Sequence, residues 1–536
     1  MKKIRNKNNR WKVLLCCSAV LLTSLSCNEE QLELQNPNEI SEEGFFRSET
    51  NYNLAINGMF HSVTAVLCWG RVIHTGPFLR SDAYNIVPFQ ENTTMSTLQG
   101  RPGISRWSLD SYAQFYAAIG RANSIINTID TDNNTIAKEV RDQIAGQAYF
   151  MRGFAYWYLA SLWGNVPIVT ETPTESEDFF PDQSTQAEVY AQVIKDLSIA
   201  ADRLPTSWED SDDQGRPTQG AALALRGKTQ LYIQNYTEAI ADFQSVVDGQ
   251  QYNLLPAANY QQNFTDENEN NSESVFELQY LGQENFAWGA DVPQTGTQGN
   301  YFIDYAPPTV SPDQGHFINP HIRDVFEANN DEVRRNATLA YEYPGSTGYG
   351  GEPFLEDFAP DIEVANTIED SRGVQGVPAI FSKKYAAFSE GNRGEIPELG
   401  QTIGINWRVI RYADVLLMLA EALNEDNRTG EAIPFINQVR TRAQIAPLPT
   451  TLTKEETEQA IIDERILELT GEGHRFLDLV RWGIADEVLG QNSTIAGGRH
   501  PKSLSGGFFQ SGQDELIWIP VQELQANPKL SQNDGY

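Results

Sequence analysis

Cys27 closes a segment that reads as an address. Residues 1–12 carry six basic side chains (Lys2, Lys3, Arg5, Lys7, Arg10, Lys12), 13–25 is an apolar run, and Ser24-Leu25-Ser26 puts small residues directly before the thiol. A basic stretch, an apolar stretch and a small-residue cleavage point make a secretory signal. Cleavage there leaves a cysteine at the new N-terminus, where its thiol is open to acylation. The apolar run is shorter than the roughly 20 residues a membrane-spanning helix requires. The chain is therefore expected to hang from a membrane by lipid and not to thread through it. This arrangement resembles the lipobox of bacterial lipoproteins, with Ser24 where leucine is usual; Cys16 and Cys17 are the other thiols within the segment.

Chemistry beyond that thiol is sparse. With Cys16 and Cys17 removed and Cys27 acylated, Cys68 alone remains, too few for a cysteine zinc site. The six histidines form no H-E-x-x-H pair. No G-x-S-x-G elbow, P-loop or G-x-G-x-x-G fingerprint occurs either, so no nucleophile or phosphate cradle announces a surface-anchored hydrolase or nucleotide enzyme. Acid-rich runs at 130–134, 210–213 and 266–271 hold clustered oxygens of the kind calcium takes, but none follows the EF-hand loop. They read as solvated turns, and no cofactor is expected.

Charge excludes further classes. The chain has 39 basic and 72 acidic side chains, a formal charge of −33. The first 26 residues hold six of the bases and no acid, which leaves −39 on the mature protein. Such a surface repels nucleic acid and anionic lipid headgroups. About 510 mature residues can bury a large core without disulfides. Ten tryptophans, 21 tyrosines and 25 phenylalanines supply more rings than a core needs, and a fraction is available to stack on sugar faces.

The elements that must position these rings are mostly helical. Apolar residues recur at three- and four-residue spacing over 51–68, 110–129, 138–163 and 186–204. In 223–250, Gly227, Tyr236, Ala239, Phe243 and Val246 match positions 8, 17, 20, 24 and 27 of a tetratricopeptide repeat. Ala420, Ala432, Ile436 and Val439 repeat that register in 416–442. Small residues at the first and third positions let two antiparallel helices approach closely. Between 251 and 404 the periodicity gives way to Gly, Pro, Asn and Asp punctuation with short strand-like runs such as 274–280. The expected fold is mainly α: a scaffold of tetratricopeptide-like hairpins over about 40–250 and 405–536, and a loop-rich insert over 251–404 laid upon it. Loops of that length usually carry function.

Several blocks together resemble the SusD/RagB family of outer-membrane nutrient-binding lipoproteins. The helix ending in Gly164-Asn-Val-Pro167 is similar to the family's Gly-x-Val-Pro turn. Arg411-Tyr-Ala-Asp414 leading into Ala420-Glu421 resembles its R-x-A-D-x-x-L-x-x-A-E helix, and 436–443, 464–482 and the tail 519–536 follow in the family's order. The resemblance implies a non-catalytic protein that captures oligo- or polysaccharide on the cell surface and covers a TonB-dependent, SusC-like outer-membrane transporter. Asn28-Glu29-Glu30 resembles the sorting signal for the outer leaflet. The same scaffold capturing peptides or glycopeptides is the alternative, and a tetratricopeptide adaptor with only a protein partner is another. The motif residues Arg411, Asp414, Glu464, Arg475 and Arg481 are expected in buried ion pairs, not on ligand.

The resemblance places binding aromatics after the first helix and in the insert. In the first region stand Trp69, Arg71 and Asp82; in the second, Trp288 and Tyr301. Trp288 lies in Gln283-Glu-Asn-Phe-Ala-Trp-Gly-Ala290, polar and glycine-flanked with no apolar stripe to bury it. These five are the candidate ligand contacts, rings for the C–H faces of sugars and polar groups for their hydroxyls. Trp69 could instead end a core helix, and Asp82 in Leu79-Arg-Ser-Asp-Ala-Tyr84 could be structural. Trp208, in Pro205-Thr-Ser-Trp-Glu-Asp210, is expected at the surface.

Overall fold

The structure, a computed structural model, describes residues 42–65, 68–69, 73–86, 95, 98, 106–131, 135–173, 176, 178–280, 300–301, 316–340, 380–385, 402–494 and 507–536. Two units are distinguished, 1–48 and 49–536. The first contributes one short helix, α1 (Glu42–Phe45), followed by an edge-to-face pair of Phe45 and Phe46 at 5.1 Å. All the other helices and strands belong to the second. None of the described helices is long and apolar enough to cross a membrane.

The second unit begins with α2 (Glu49–Thr64), α3 (His74–Arg80), strand β1 (Tyr84–Ile86), α4 (Arg106–Ile129) and α5 (Lys138–Trp163). A two-stranded pair, β2 (Val166–Pro167) with β3 (Gln183–Ser184), leads to α6 (Gln186–Arg203), α7 (Gln219–Tyr232) and α8 (Tyr236–Asp248). From α4 to α8 each helix packs on the next, and α2 packs on α4. Glycines set several of these approaches. A Cβ on Gly153 of α5 would lie 3.0 Å from Leu197 of α6, and one on Gly227 of α7 would lie 2.8 Å from Phe243 of α8. The close approach expected at Gly227 is thus present. Helix ends follow local chemistry: Thr185 and Glu188 form a capping box at the start of α6. Gly164, at φ +75°, turns the chain out of α5 in a backbone region that favours glycine.

After α8 the chain leaves the scaffold. A 3₁₀ segment at Ala257–Phe264 precedes β4 (Ser274–Leu278), β5 (Asn300–Tyr301), β6 (His316–Ile318), α9 (Pro320–Ala328), α10 (Glu332–Thr338), β7 (Leu339–Ala340), β8 (Phe381–Ser382), β9 (Thr402–Ile403) and β10 (Trp407–Arg411). The scaffold resumes with α11 (Tyr412–Glu425), α12 (Thr429–Arg442) and α13 (Lys454–Leu469), then α14 (Arg475–Arg481), α15 (Ala485–Leu489) and α16 (Val521–Ala526). Helix α8 packs directly on α11, so the insert is spliced between neighbouring helices of one stack. Its two ends are tied together by β4 and β10, antiparallel and irregular in register, with Trp407 opposite Leu278 and Arg408 opposite Glu277.

The insert holds two helices that the sequence reading did not place. Helix α9 buries only Ile322 and Phe326, one turn apart, and α10 buries Arg334, Ala337 and Thr338. Neither offers enough apolar repeats to show a period. Both are set by their starts: Pro320 at the first turn of α9, and the Asp331 carboxylate accepting the Arg334 N–H at the start of α10.

Candidate functional site

Strand β1, which follows α3, pairs antiparallel with β6 of the insert, Tyr84 opposite Ile318 and Ile86 opposite His316. The two regions expected to carry ligand contacts are therefore joined in space. Asn319 clamps the join: its backbone N–H donates to the Ala83 carbonyl at 2.8 Å, and its side-chain amide donates to the Asp82 carbonyl. Behind β6, the Ile318 N–H donates to the Ile380 carbonyl at 2.8 Å, which brings in the β7–β8 pair.

Asp82 sits beneath this join, 3 % exposed. Arg475 of α14 donates to both its carboxylate oxygens, Nε at 2.9 Å and Nη2 at 3.1 Å, and His321 Nε2 stands 3.2 Å away. Burial alone would raise the Asp82 pKa, but the Arg475 guanidinium and His321 outweigh it and hold the carboxyl well below the usual range. The expectation that Asp82 contacts ligand is corrected: its oxygens are spent on fastening α14 to the base of the layer. Asn319 and His321 were missed; the Pro320 between them, a helix-start signal, was the available clue.

Trp69 is likewise corrected. It is 3 % exposed, edge-on to Tyr158 at 4.6 Å and tilted against Phe154 at 5.4 Å, both on α5. An indole enclosed by core rings has no face to offer a sugar. Tyr301 lies on β5, opposite Thr402 of β9. Arg71, Trp288 and the lipidation candidate Cys27 lie outside the described residues. Cys68, the free thiol among the described residues, is buried, and burial raises its pKa well above the ordinary value.

A buried charge network fastens the layer to α12 and α13. Arg411, at the end of β10, donates to Glu468 at 2.9 Å and to Glu472 at 2.7 Å, and also pairs with Glu273 just before β4. Arg334 of α10 reaches Glu464 at 2.7 Å and Glu468 at 3.0 Å, while Lys384, after β8, holds Glu472 at 2.8 Å. Arg442 joins Glu273 and Glu468, Arg440 joins Glu464, and Asp331 joins Arg334. The cations Arg334, Lys384, Arg411, Arg440 and Arg442 thus match the anions Glu273, Asp331, Glu464, Glu468 and Glu472 one for one. Rings of the 3₁₀ segment cover the cluster, with Arg442 4.5 Å from the Tyr260 centroid and Lys384 4.4 Å from that of Phe264. Burial raises the Glu468 pKa, yet Arg442, Arg411 and Arg334 together pull it far below normal. Such a network adds little stability over apolar packing, but it is costly to break and it fixes which strand meets which helix.

The five motif residues expected in ion pairs are all found there. Besides Arg411, Glu464 and Arg475, Asp414 accepts from Arg465 at 2.8 Å, and Arg481 pairs with Glu421 and Asp478. Among the described residues no group of three or more His, Cys, Asp and Glu side chains is arranged to hold a metal ion.

Comparison with known proteins agrees with this architecture. The profile of the SusD family matches residues 237–536, and a profile described as starch-binding associating with outer membrane matches 105–232. SusD-like protein P25 of Formosa agariphila is 27% identical over 549 residues, spanning 96% of this chain and 97% of its own. Of solved structures, a SusD superfamily protein from Bacteroides vulgatus superposes with a TM-score of 0.75 at 27% identity, over 92% of this chain and 100% of that one. A laminarin-binding SusD-like protein superposes with a TM-score of 0.70 at 26% identity, again over 92% and 100%. With the family profile matched along more than half of its length, this chain belongs to the SusD family.

Proposed function

We propose that the chain is a non-catalytic cell-surface lipoprotein that captures uncharged oligo- or polysaccharide and delivers it to a TonB-dependent, SusC-like transporter in the outer membrane. The observation that carries this reading is the correspondence with a laminarin-binding SusD-like protein over 92% of the chain at a TM-score of 0.70. The formal charge of −39 on the chain after residue 26 favours a neutral cargo, since uronic or sulfated chains would approach against the mean field. Trp288 and Tyr301 are the proposed contacts on the insert side, and Arg71 the one from the region after the first helix. Trp69 and Asp82 support the layer from below. Acylation of Cys27 is the proposed anchor.

The test is native electrophoresis of the chain from residue 28 onward in gels cast with laminarin, starch, mannan and inulin. Retardation by at least one gel is expected, with Trp288→Ala weakening it about tenfold, the equivalent of roughly 1.4 kcal/mol. Unchanged mobility in every gel, alongside retention of a peptide digest, would overturn the carbohydrate reading. Release of reducing ends from the retarding polysaccharide would overturn the non-catalytic one.

A further inference from the structure

A separate cleft opens where the loop between α6 and α7 meets the segment after α8 and the turn into β4. Its volume is about 390 Å³, within the range of small-molecule sites, and Trp208, Gln214, Arg216, Tyr252, Asn270 and Asn271 line it. Trp208 and Tyr252 are each half-buried, and both are held from behind. The Trp208 indole N–H donates to the Pro217 carbonyl at 3.1 Å; the Tyr252 hydroxyl bonds Thr218 Oγ1 at 2.8 Å, and its ring stacks on Tyr412 at 6.4 Å. The opposite wall is amide. Asn270 exchanges side-chain hydrogen bonds of 2.9 and 3.0 Å with Gln279, whose amide is otherwise filled by Asn406 and the Glu277 carbonyl, and the Asn270 amide keeps one N–H and one lone pair to spare. Gly215, at φ +86°, lies so close to Gln279 that a Cβ there would be 2.3 Å from its side chain. The two walls are thus fixed against each other before any ligand arrives.

The charges in the lining are already matched. Arg216 donates to Asp213 at 2.6 Å and to Gln147 at 2.8 Å. Glu277 accepts from the Asn270 N–H and the Asn406 amide, each at 3.1 Å, and is paired with Arg408. A charged ligand would have to break one of these pairs. A neutral polyol would not, because its hydroxyls can use the unspent amide positions while its C–H faces lie on the two rings. We infer that this cleft is a second carbohydrate subsite, taking a neutral mono- or disaccharide unit of the chain being captured. It uses none of the residues proposed in the insert and stands or falls apart from them.

The experiment is ¹⁹F NMR of the chain from residue 28 onward, labelled with 5-fluorotryptophan, with the Trp208 resonance assigned by Trp208→Phe. Maltose, cellobiose, laminaribiose and mannobiose are titrated in turn, with digalacturonate as the anionic comparison. At least one neutral disaccharide is expected to shift the Trp208 line saturably, and Tyr252→Ala to raise its Kd about tenfold or more. Gln214→Ala, at an exposed rim position, is expected to weaken binding in the same direction with unchanged melting, so the result does not depend on one variant's folding. Trp288→Ala is expected to leave the Trp208 response intact. A Trp208 line unmoved by all four neutral sugars, or moved by digalacturonate alone, overturns the inference. Loss of polysaccharide retention while the Trp208 response persists would instead fault the insert.

Discussion

Asp82→Asn separates a structural role for this residue from a ligand-binding one. The amide keeps the shape of the carboxylate but removes its charge, and it turns an NH₂ toward either Arg475 or His321. Asp82 receives two charge-assisted bonds from Arg475, at 2.9 and 3.1 Å. A hydrogen bond to a charged group contributes about 1.5–3 kcal/mol, and breaking a buried pair costs about 3–5 kcal/mol. Asn retains one of the two bonds, and the Arg475 side chain is 14% exposed, so water recovers part of the loss. The expected cost is about 2–3 kcal/mol, localised where Asn319 and Arg475 meet the β1–β6 pair. In native-state hydrogen exchange this corresponds to roughly 30- to 150-fold faster exchange for peptides covering 80–86 and 316–322. Peptides from α7 and α8 serve as the internal reference and are expected to be unchanged. Unaltered exchange at β1 and β6, together with lost polysaccharide retention, would refute the clamp and return Asp82 to the ligand.

Three further outcomes are expected. Burial, then Lys228, lowers the His474 pKa to about 4; because the unfolded chain binds this proton first, stability is complete above about pH 6.5 and is lost as pH falls towards 4, by about 3 kcal/mol. His474→Gln should flatten the fall in melting temperature between those pH values, and an unchanged slope would exclude this histidine as the cause. Gly227→Leu should lower the unfolding free energy from denaturant titration by about 1–3 kcal/mol through overpacking against Phe243, whereas Gly58→Ala, with open space around its Cβ, should raise it by up to about 1 kcal/mol. Cys27→Ser should abolish incorporation of labelled palmitate and shift the protein from the detergent to the aqueous phase on Triton X-114 partition; retained label would place the lipid elsewhere.

How much was legible in advance depends on the distance over which each feature is determined. Helices α5 and α6 were readable because their apolar repeats, stop residues and caps all lie within the segments themselves. The hairpins α7–α8 and α11–α12 were readable because the small residues that let them close recur at a fixed interval. Charged side chains of the late helices could be assigned to ion pairs only by resemblance, since nothing in the spacing of Arg475 announces Asp82. Helices α9 and α10 were missed because one buried turn each is too little to reveal a period.

The amino-acid order by itself determined the helical stack, the interval at which it is interrupted and the acidic surface, since all of these are local or additive properties. It did not determine which rings face solvent. Trp69, offered as a ligand contact, is enclosed by Phe154 and Tyr158, while Trp208, expected merely at the surface, lines a cleft. Only the tertiary structure decided that, and only it could join Asp82 to a guanidinium 393 residues away. Exposure and pairing are properties of the assembled surface, because each requires a partner that the chain delivers only once it has folded.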